Sequence, residues 1–316
     1  MYIIELAFNQ VLGSREIGKG TRSFVGYLFR CVLYRKGWNG GGGFVSCSLV
    51  RRTSAPRLLL MIASLLAPMT FTECGSRNAV TALPLPTAGL PPAIPAAEPV
   101  LLYNGIGTSS SDVSAVQAVL VSLGVGYTMA DSIQLNAMSE PQLGGYKLLI
   151  IPGGNSITIG QNLAAGTASA IRGAVQDYGV DYLGICAGAF FGGYSIYNGV
   201  NLTTGASFDF YADEFKGIHV EPVEISLPNA PPLDVYWQDG PQLSGWGEVV
   251  AKFPDGTPAI VEGRSGKGFV VFTGVHLEAP ESWRGSLSFT TPLSVDLAYA
   301  ETVIKASLDG APLPHF

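Results

Sequence analysis

Asp181-Tyr182-Leu183-Gly184-Ile185-Cys186-Ala187-Gly188-Ala189-Phe190 reads as an apolar strand running into a Gly-x-Cys-x-Gly turn. In such an elbow the chain swings from strand to helix, glycines flank the central residue to relieve crowding, and its side chain stands proud of the sheet. A thiol there faces a helix N-terminus, which favours the thiolate.

The segments around the elbow repeat one unit. Residues 99–103 are a short apolar strand followed by Asn104-Gly105-Ile106-Gly107, and residues 112–123 carry apolar positions at helical spacing. Residues 146–151 then read as a buried strand, Pro152-Gly153-Gly154 as its turn and residues 162–178 as a helix, before the elbow strand itself. Apolar strands alternating with helices predict an α/β fold, with a mostly parallel sheet covered by helices on both faces. Ligands of such sheets collect at the carboxyl ends of the strands, where both Cys186 and Gly153-Gly154 fall. After residue 200 the texture changes to short strand-like segments at 220–226, 233–237, 248–253, 259–262 and 268–273, several of them antiparallel, with Pro254-Asp255-Gly256 as a turn. A helical stripe over 292–308 closes the chain.

The chemistry follows from a second stretch, Phe272-Thr273-Gly274-Val275-His276-Leu277-Glu278, which supplies an imidazole with a carboxylate two residues on. Nucleophile, base and orienting carboxylate make a triad when they coincide. Cys186 is the nucleophile in this reading, His276 takes and returns its proton, and Glu278 holds the imidazole in its useful tautomer. The backbone amides of Gly154 and Ala187 would form an oxyanion hole, with Gly153 allowing the turn. Two stretches that mix aromatics with acids, residues 208–214 and 236–241, suit a pocket wall or ordinary strand packing. Asn104, Gly153, Tyr236 and Trp237 are the candidate substrate-binding residues.

Composition narrows the alternatives. The 316 residues are 47% hydrophobic and 13% charged, which suits a well-buried globular core. Residues 1–74 hold 9 of the 18 Lys and Arg but 3 of the 24 acids, leaving 9 basic against 21 acidic residues for the rest. An acidic body without clustered Lys and Arg argues against a nucleic-acid partner. The four cysteines are Cys31, Cys47, Cys74 and Cys186, and the histidines are His219, His276 and His315. That set offers the domain no disulfide framework and no multi-histidine metal site, and no metal or cofactor is expected.

Residues 50–57 are basic and residues 58–71 form an uncharged apolar run, the layout of a secretory signal over 50–74 and too short for a comfortable membrane span. The expectation is export to a periplasmic or extracellular location. Cys74 would serve as a lipid anchor and membrane tether, although Glu73 is not the small residue such signals place before the cysteine. Residues 1–49 are expected to be an upstream extension or a disordered segment. Residues 83–99 contain six prolines and read as part of an extended linker over 75–97, with the folded domain over 98–310.

Ile151-Pro152-Gly153-Gly154, Gly184-Ile185-Cys186-Ala187-Gly188 and His276-Leu277-Glu278 resemble the three signatures of the class I glutamine amidotransferase-like superfamily. Together with Tyr103-Asn104-Gly105, the first two are similar to the N-terminal domain of fungal-type biotin-protein ligases, also found as a stand-alone bacterial protein. The resemblance implies a flavodoxin-like sheet and a Cys186, His276, Glu278 triad acting through a thioester on a C–N amide bond. The chain shows no ATP site, so a synthetase partner is not evident. In place of the glutamine-gripping motif after the elbow stand Phe190-Phe191-Gly192-Gly193-Tyr194. The expected activity is therefore an exported cysteine-dependent amidohydrolase with a small-molecule or peptide amide as substrate. A non-catalytic binding domain that keeps the elbow, and an acyl or amide-nitrogen transferase, are the alternatives.

Overall fold

The computed structural model of the chain describes residues 98–316 and, before them, residues 3–10, 26–34 and 44–52. The chain divides into two units. In the first, β1 (Ile3–Gln10), β2 (Gly26–Tyr34) and β3 (Phe44–Arg52) pair antiparallel in that order. Residues 1–49, read above as an extension or disordered segment, contain most of this sheet. The apolar run of the expected signal and the proline-rich linker lie outside the described residues.

The second unit opens with β4 (Val100–Tyr103), α1 (Ser110–Ser122) and β5 (Tyr127–Ala130). The short helices α2 (Ser132–Ala137) and α3 (Glu140–Leu143) lead to β6 (Leu148–Ile151). α4 (Ser156–Asn162) and α5 (Ala165–Gly173), the latter ending in a π turn over Ala174–Tyr178, lead to β7 (Asp181–Ile185) and α6 (Ala187–Gly192). β8 (Asp209–Phe210) pairs with β11 (Pro241–Gln242), between which run β9 (Val220–Leu227) and β10 (Ala230–Gln238). β12 (Glu248–Lys252), β13 (Pro258–Ser265), β14 (Gly268–Thr273), α7 (Glu281–Arg284) and α8 (Leu293–Asp309) complete it.

Nine of these strands form one sheet in the order β10-β9-β12-β13-β14-β7-β6-β4-β5. The five from β14 to β5 are parallel, and the other four continue the sheet antiparallel. Counted along the chain, the parallel strands β4, β5, β6, β7 and β14 lie in the order 2-1-3-4-5, the flavodoxin-like winding. The fold is thus α/β and flavodoxin-like, with the antiparallel addition expected after residue 200. β4, β6 and β14 are buried along their whole length, so their runs of aliphatic and aromatic residues feed both faces. One face packs against Val113, Val116 and Leu120 of α1 and Ala300, Val303 and Ile304 of α8. The other packs against Leu135, Leu143, Ile159, Ile171 and Phe191 of the remaining helices.

β5, α2 and α3 carry little helical or strand periodicity and were not anticipated. β5 is only partly buried at the sheet edge, where the apolar pattern is weak. The helix expected over 162–178 is α5 and its π turn, with Leu163 and Ala164 as an extended break after α4.

Candidate active site

Cys186 has φ 49° and ψ −103°, a positive-φ backbone for a non-glycine residue between β7 and α6. The neighbouring glycines explain how the chain makes this bend. A Cβ on Gly188 would stand 1.8 Å from the Ile151 carbonyl oxygen, and one on Gly184 2.5 Å from the Gly188 oxygen. The Cys186 N–H donates to the Thr273 carbonyl at 2.8 Å, tying the elbow to the end of β14. Its thiol donates to the Gln238 carbonyl at 3.6 Å.

His276 follows β14 and is buried. Its N–H donates to the Tyr236 carbonyl at 2.9 Å, and its ring meets those of Tyr236 and Trp283 edge-on, with centroids 6.0 and 5.6 Å away. Nδ1 lies 2.7 Å from Glu278 Oε1 and 3.0 Å from Asp112 Oδ2. The imidazole and the Cys186 thiol line the same cavity. With Nδ1 committed to the carboxylates, Nε2 is the nitrogen left for sulfur. Burial alone opposes the imidazolium. The charge of Glu278, then the charge and proximity of Asp112, more than reverses this and holds the His276 pKa well above the histidine range. Burial first, and the Asp112 charge second, push Glu278 up.

Asp112 escaped the sequence reading. It sits in the first turn of α1, where Ser109 caps the helix by accepting from the Asp112 N–H at 3.4 Å. The helix N-terminus favours a carboxylate there. The parallel winding brings the ends of β4, β6, β7 and β14 together, and so sets α1 beside a histidine that follows β14. The only local signal was an acid at a helix start, which a capping role accounts for equally well.

Gly153 is wedged between these groups: a Cβ on it would stand 2.4 Å from Asp112 Oδ2 and 2.7 Å from His276 Cε1. Gly154 has φ 146° and lies against Gly107, Thr108 and Ser109, and the Ser109 N–H donates to the Gly153 carbonyl at 2.9 Å. Gly154 thus closes the crevice between the ends of β4 and β6, the switch point of this strand order. The Ala187 N–H opens α6 one residue beyond the thiol.

A cavity of about 240 Å³ lies over these residues, lined by Ser109, Ser111, Asp112, Gly154, Cys186, Tyr236, Gln238, Asp239, His276 and Trp283. Of the expected substrate-binding residues, Tyr236 lines it and Gly153 lies directly beneath the imidazole. Trp237 does not: it is fully buried in the core, its indole N–H donating to the Gly240 carbonyl at 3.2 Å. Adjacent residues of a strand face opposite sides, so Tyr236 and Trp237 cannot both reach one cavity. Asn104 is exposed, with its N–H on the Ala130 carbonyl, and is not among the lining residues. Gln238 and Asp239, from the 236–241 stretch weighed as a pocket wall, line it too, whereas Trp283 was not singled out by the sequence. Trp283 packs against the Tyr236 and His276 rings, and its neighbour Arg284 is buried and donates to Asp296 at 2.9 Å.

Two groups of side chains bring carboxylate and imidazole atoms within 4.8 Å of one another: Asp112, His276 and Glu278, and Glu214, His219 and Asp239. In the first, the separations are those of hydrogen bonds between nitrogen and oxygen. In the second, His219 Nδ1 stands 3.0 Å from Glu214 and 2.9 Å from Asp239 at the surface.

Residues 98–213 match the family model described as biotin-protein ligase, N terminal. The matched stretch takes in Asp112, Gly154 and Cys186 and ends before His276. No curated protein matches the sequence. Among solved structures, an exo-beta-1,4-mannosidase from Opitutaceae bacterium strain TAV5 superposes with TM-score 0.44 and 14% identity over 66% of this chain, which spans 36% of the mannosidase. A putative GMP synthase subunit from Thermoplasma acidophilum gives TM-score 0.44 and 15% identity, covering 67% of this chain and 96% of that protein. A putative ThuA-like protein from Bacteroides uniformis gives TM-score 0.39 and 12% identity, covering 67% and 93%.

Proposed function

We propose that the chain is a cysteine-dependent amidohydrolase whose triad is Cys186, His276 and Glu278. The observation that carries this reading is the thiol at a positive-φ elbow, sharing one cavity with an imidazole whose Nδ1 is held at 2.7 Å by a buried carboxylate. Nucleophile and base therefore share one cavity, with the orienting carboxylate bonded to the imidazole from behind.

His276 holds the thiol proton as an imidazolium, and the Cys186 thiolate attacks the amide carbonyl, forming the C–S bond. The oxyanion accepts from the Gly154 and Ala187 N–H groups. The C–N bond breaks as His276 protonates the departing nitrogen, leaving a thioester and releasing an amine or ammonia. Water, deprotonated by His276, then adds to the thioester, and the thiol leaves with the proton as the carboxylic acid forms. Tyr236 and Trp283 wall the imidazole on the solvent side. The substrate is a small-molecule or peptide amide, and the basic and apolar stretches over 50–71 support export, with a membrane tether through Cys74.

The test is the rate of iodoacetamide labelling at Cys186 against pH, followed by peptide mass spectrometry so that the other cysteines do not interfere. We expect rapid labelling that slows at least tenfold in His276→Ala, and hydrolysis of simple amides that Cys186→Ala abolishes. Labelling indifferent to His276 would overturn the reading in favour of a binding domain.

A further inference from the structure

The cavity above Cys186 carries an imbalance of charge. Its lining includes two carboxylates, Asp112 and Asp239, and neither a lysine nor an arginine. A third carboxylate, Glu278, lies just behind the imidazole. Asp112 and Glu278 share one nitrogen, and a single imidazolium balances only one of two charges. Asp112 is 1% exposed, and its Oδ1 has no hydrogen-bond partner among the described residues. An unpaired buried carboxylate oxygen is costly unless a cation or donor joins it. At the rim, Asp239 is half-exposed in the left-handed region (φ 46°), with its N–H on the His219 carbonyl at 3.1 Å and its Oδ1 on the His219 ring at 2.9 Å, which leaves Oδ2 for a ligand.

The remaining walls suit the same kind of ligand. The ring centroids of Tyr236 and Trp283 are 5.3 Å apart, and such faces attract a cation within about 6 Å of the ring centre. The Tyr236 hydroxyl donates to Gln238 Oε1 at 2.9 Å, so the Gln238 side-chain oxygen is already engaged by a neutral donor. Ser109 and Ser111 hydrogen-bond each other at 2.8 Å and can accept as well as donate. A carboxylate in this cavity would find two like charges and neither a lysine nor an arginine in the lining.

We infer that the site takes an amide that also bears a protonated amine, received by Asp112, Asp239 and the Tyr236 and Trp283 rings, and that it rejects anionic amides. This deepens the hydrolase reading and rests on it for the word amide, but the charge preference concerns binding and is measured without turnover. A cavity of about 240 Å³ accommodates a short chain with the amide at the thiol and the ammonium toward Asp239.

The experiment is calorimetric titration of the full chain carrying Cys186→Ala with three probes built on the same five-carbon chain: 5-aminopentanamide, pentanamide and glutaramate, whose far ends are an ammonium, a methyl group and a carboxylate. We expect 5-aminopentanamide to bind about tenfold or more tightly than pentanamide, glutaramate to bind most weakly, and the preference to shrink with added salt. Adding Asp239→Asn, a rim substitution that leaves the core untouched, should cut the preference severalfold; Asp112→Asn, checked for folding by its unfolding midpoint, should abolish most of it. Equal binding of the cationic and neutral probes, tightest binding of glutaramate, a preference that survives both substitutions, or no binding of any probe at millimolar concentration would each overturn the inference. Hydrolysis of glutaramate by the unmodified protein alongside such a result would leave the hydrolase reading standing and remove only the cation preference.

Discussion

Asp112 Oδ2 lies 3.0 Å from His276 Nδ1, the same atom that Glu278 Oε1 approaches at 2.7 Å. Two carboxylates from distant parts of the chain therefore hold one imidazole. Removing either charge, by Glu278→Gln or Asp112→Asn, should lower the His276 pKa, because both carboxylates raise it. An NMR titration of the His276 ring protons in the three proteins checks this. If neither variant moved the titration, the carboxylates would not be setting the imidazole charge.

Gly153→Ala should cripple the site without unfolding the chain. The added methyl would stand within 2.7 Å of His276 Cε1 and closer still to Asp112, so the imidazole or the carboxylate must yield. A displacement of order 1 Å at a catalytic base lowers rates about a hundredfold. We expect that loss in amide hydrolysis and a similar slowing of Cys186 labelling, with the unfolding midpoint reduced far less.

The elbow backbone stores strain, since Cys186 holds φ 49° with a Cβ. Such residues are strained by about 1–3 kcal/mol, part of which glycine relieves and part of which its own backbone entropy offsets. Cys186→Gly should therefore be more stable than Cys186→Ala by about 1 kcal/mol, although both lose the thiol. Urea unfolding of the two variants measures the difference.

Away from the site, Glu221 shows how pH should act on stability. Burial first, and the neighbouring Asp213 second, raise its pKa to about 7. The folded chain then keeps a proton that the unfolded chain releases near the ordinary glutamate value. This contribution to stability is full below about pH 4.5 and is lost as pH rises toward about 7. Glu221→Gln mimics the protonated acid, so the variant should gain about 1 kcal/mol over the parent at pH 8, after allowing for solvent screening, and nothing at pH 4. Denaturant midpoints at the two pH values test the sign.

Much of this was legible in the chain itself. The β4, β6 and β7 strands announce themselves because parallel strands are apolar on both faces, and the glycines at 184 and 188 mark the elbow because any side chain there would strike backbone. His276 and Glu278 are two residues apart, so their partnership could be read directly. Asp112 could not, because nothing near it in sequence distinguishes a partner of a distant histidine from a helix-capping acid. Tyr236 and Trp237 stood together as one aromatic stretch, and strand alternation then sent the first to the cavity and the second to the core.

What the sequence determined by itself is therefore whatever a short window encodes: strand periodicity, a turn that only glycine permits, an imidazole with its carboxylate close by. What the tertiary structure alone decided is which distant side chains share a space. The 2-1-3-4-5 winding converges the ends of β4, β6, β7 and β14 on one crevice, so that a carboxylate at the start of α1 reaches a histidine after β14. That convergence comes from the order in which strands pair and the side of the sheet each helix covers. It is a property of packing, set by burial over the whole domain, and no local stretch of residues records it.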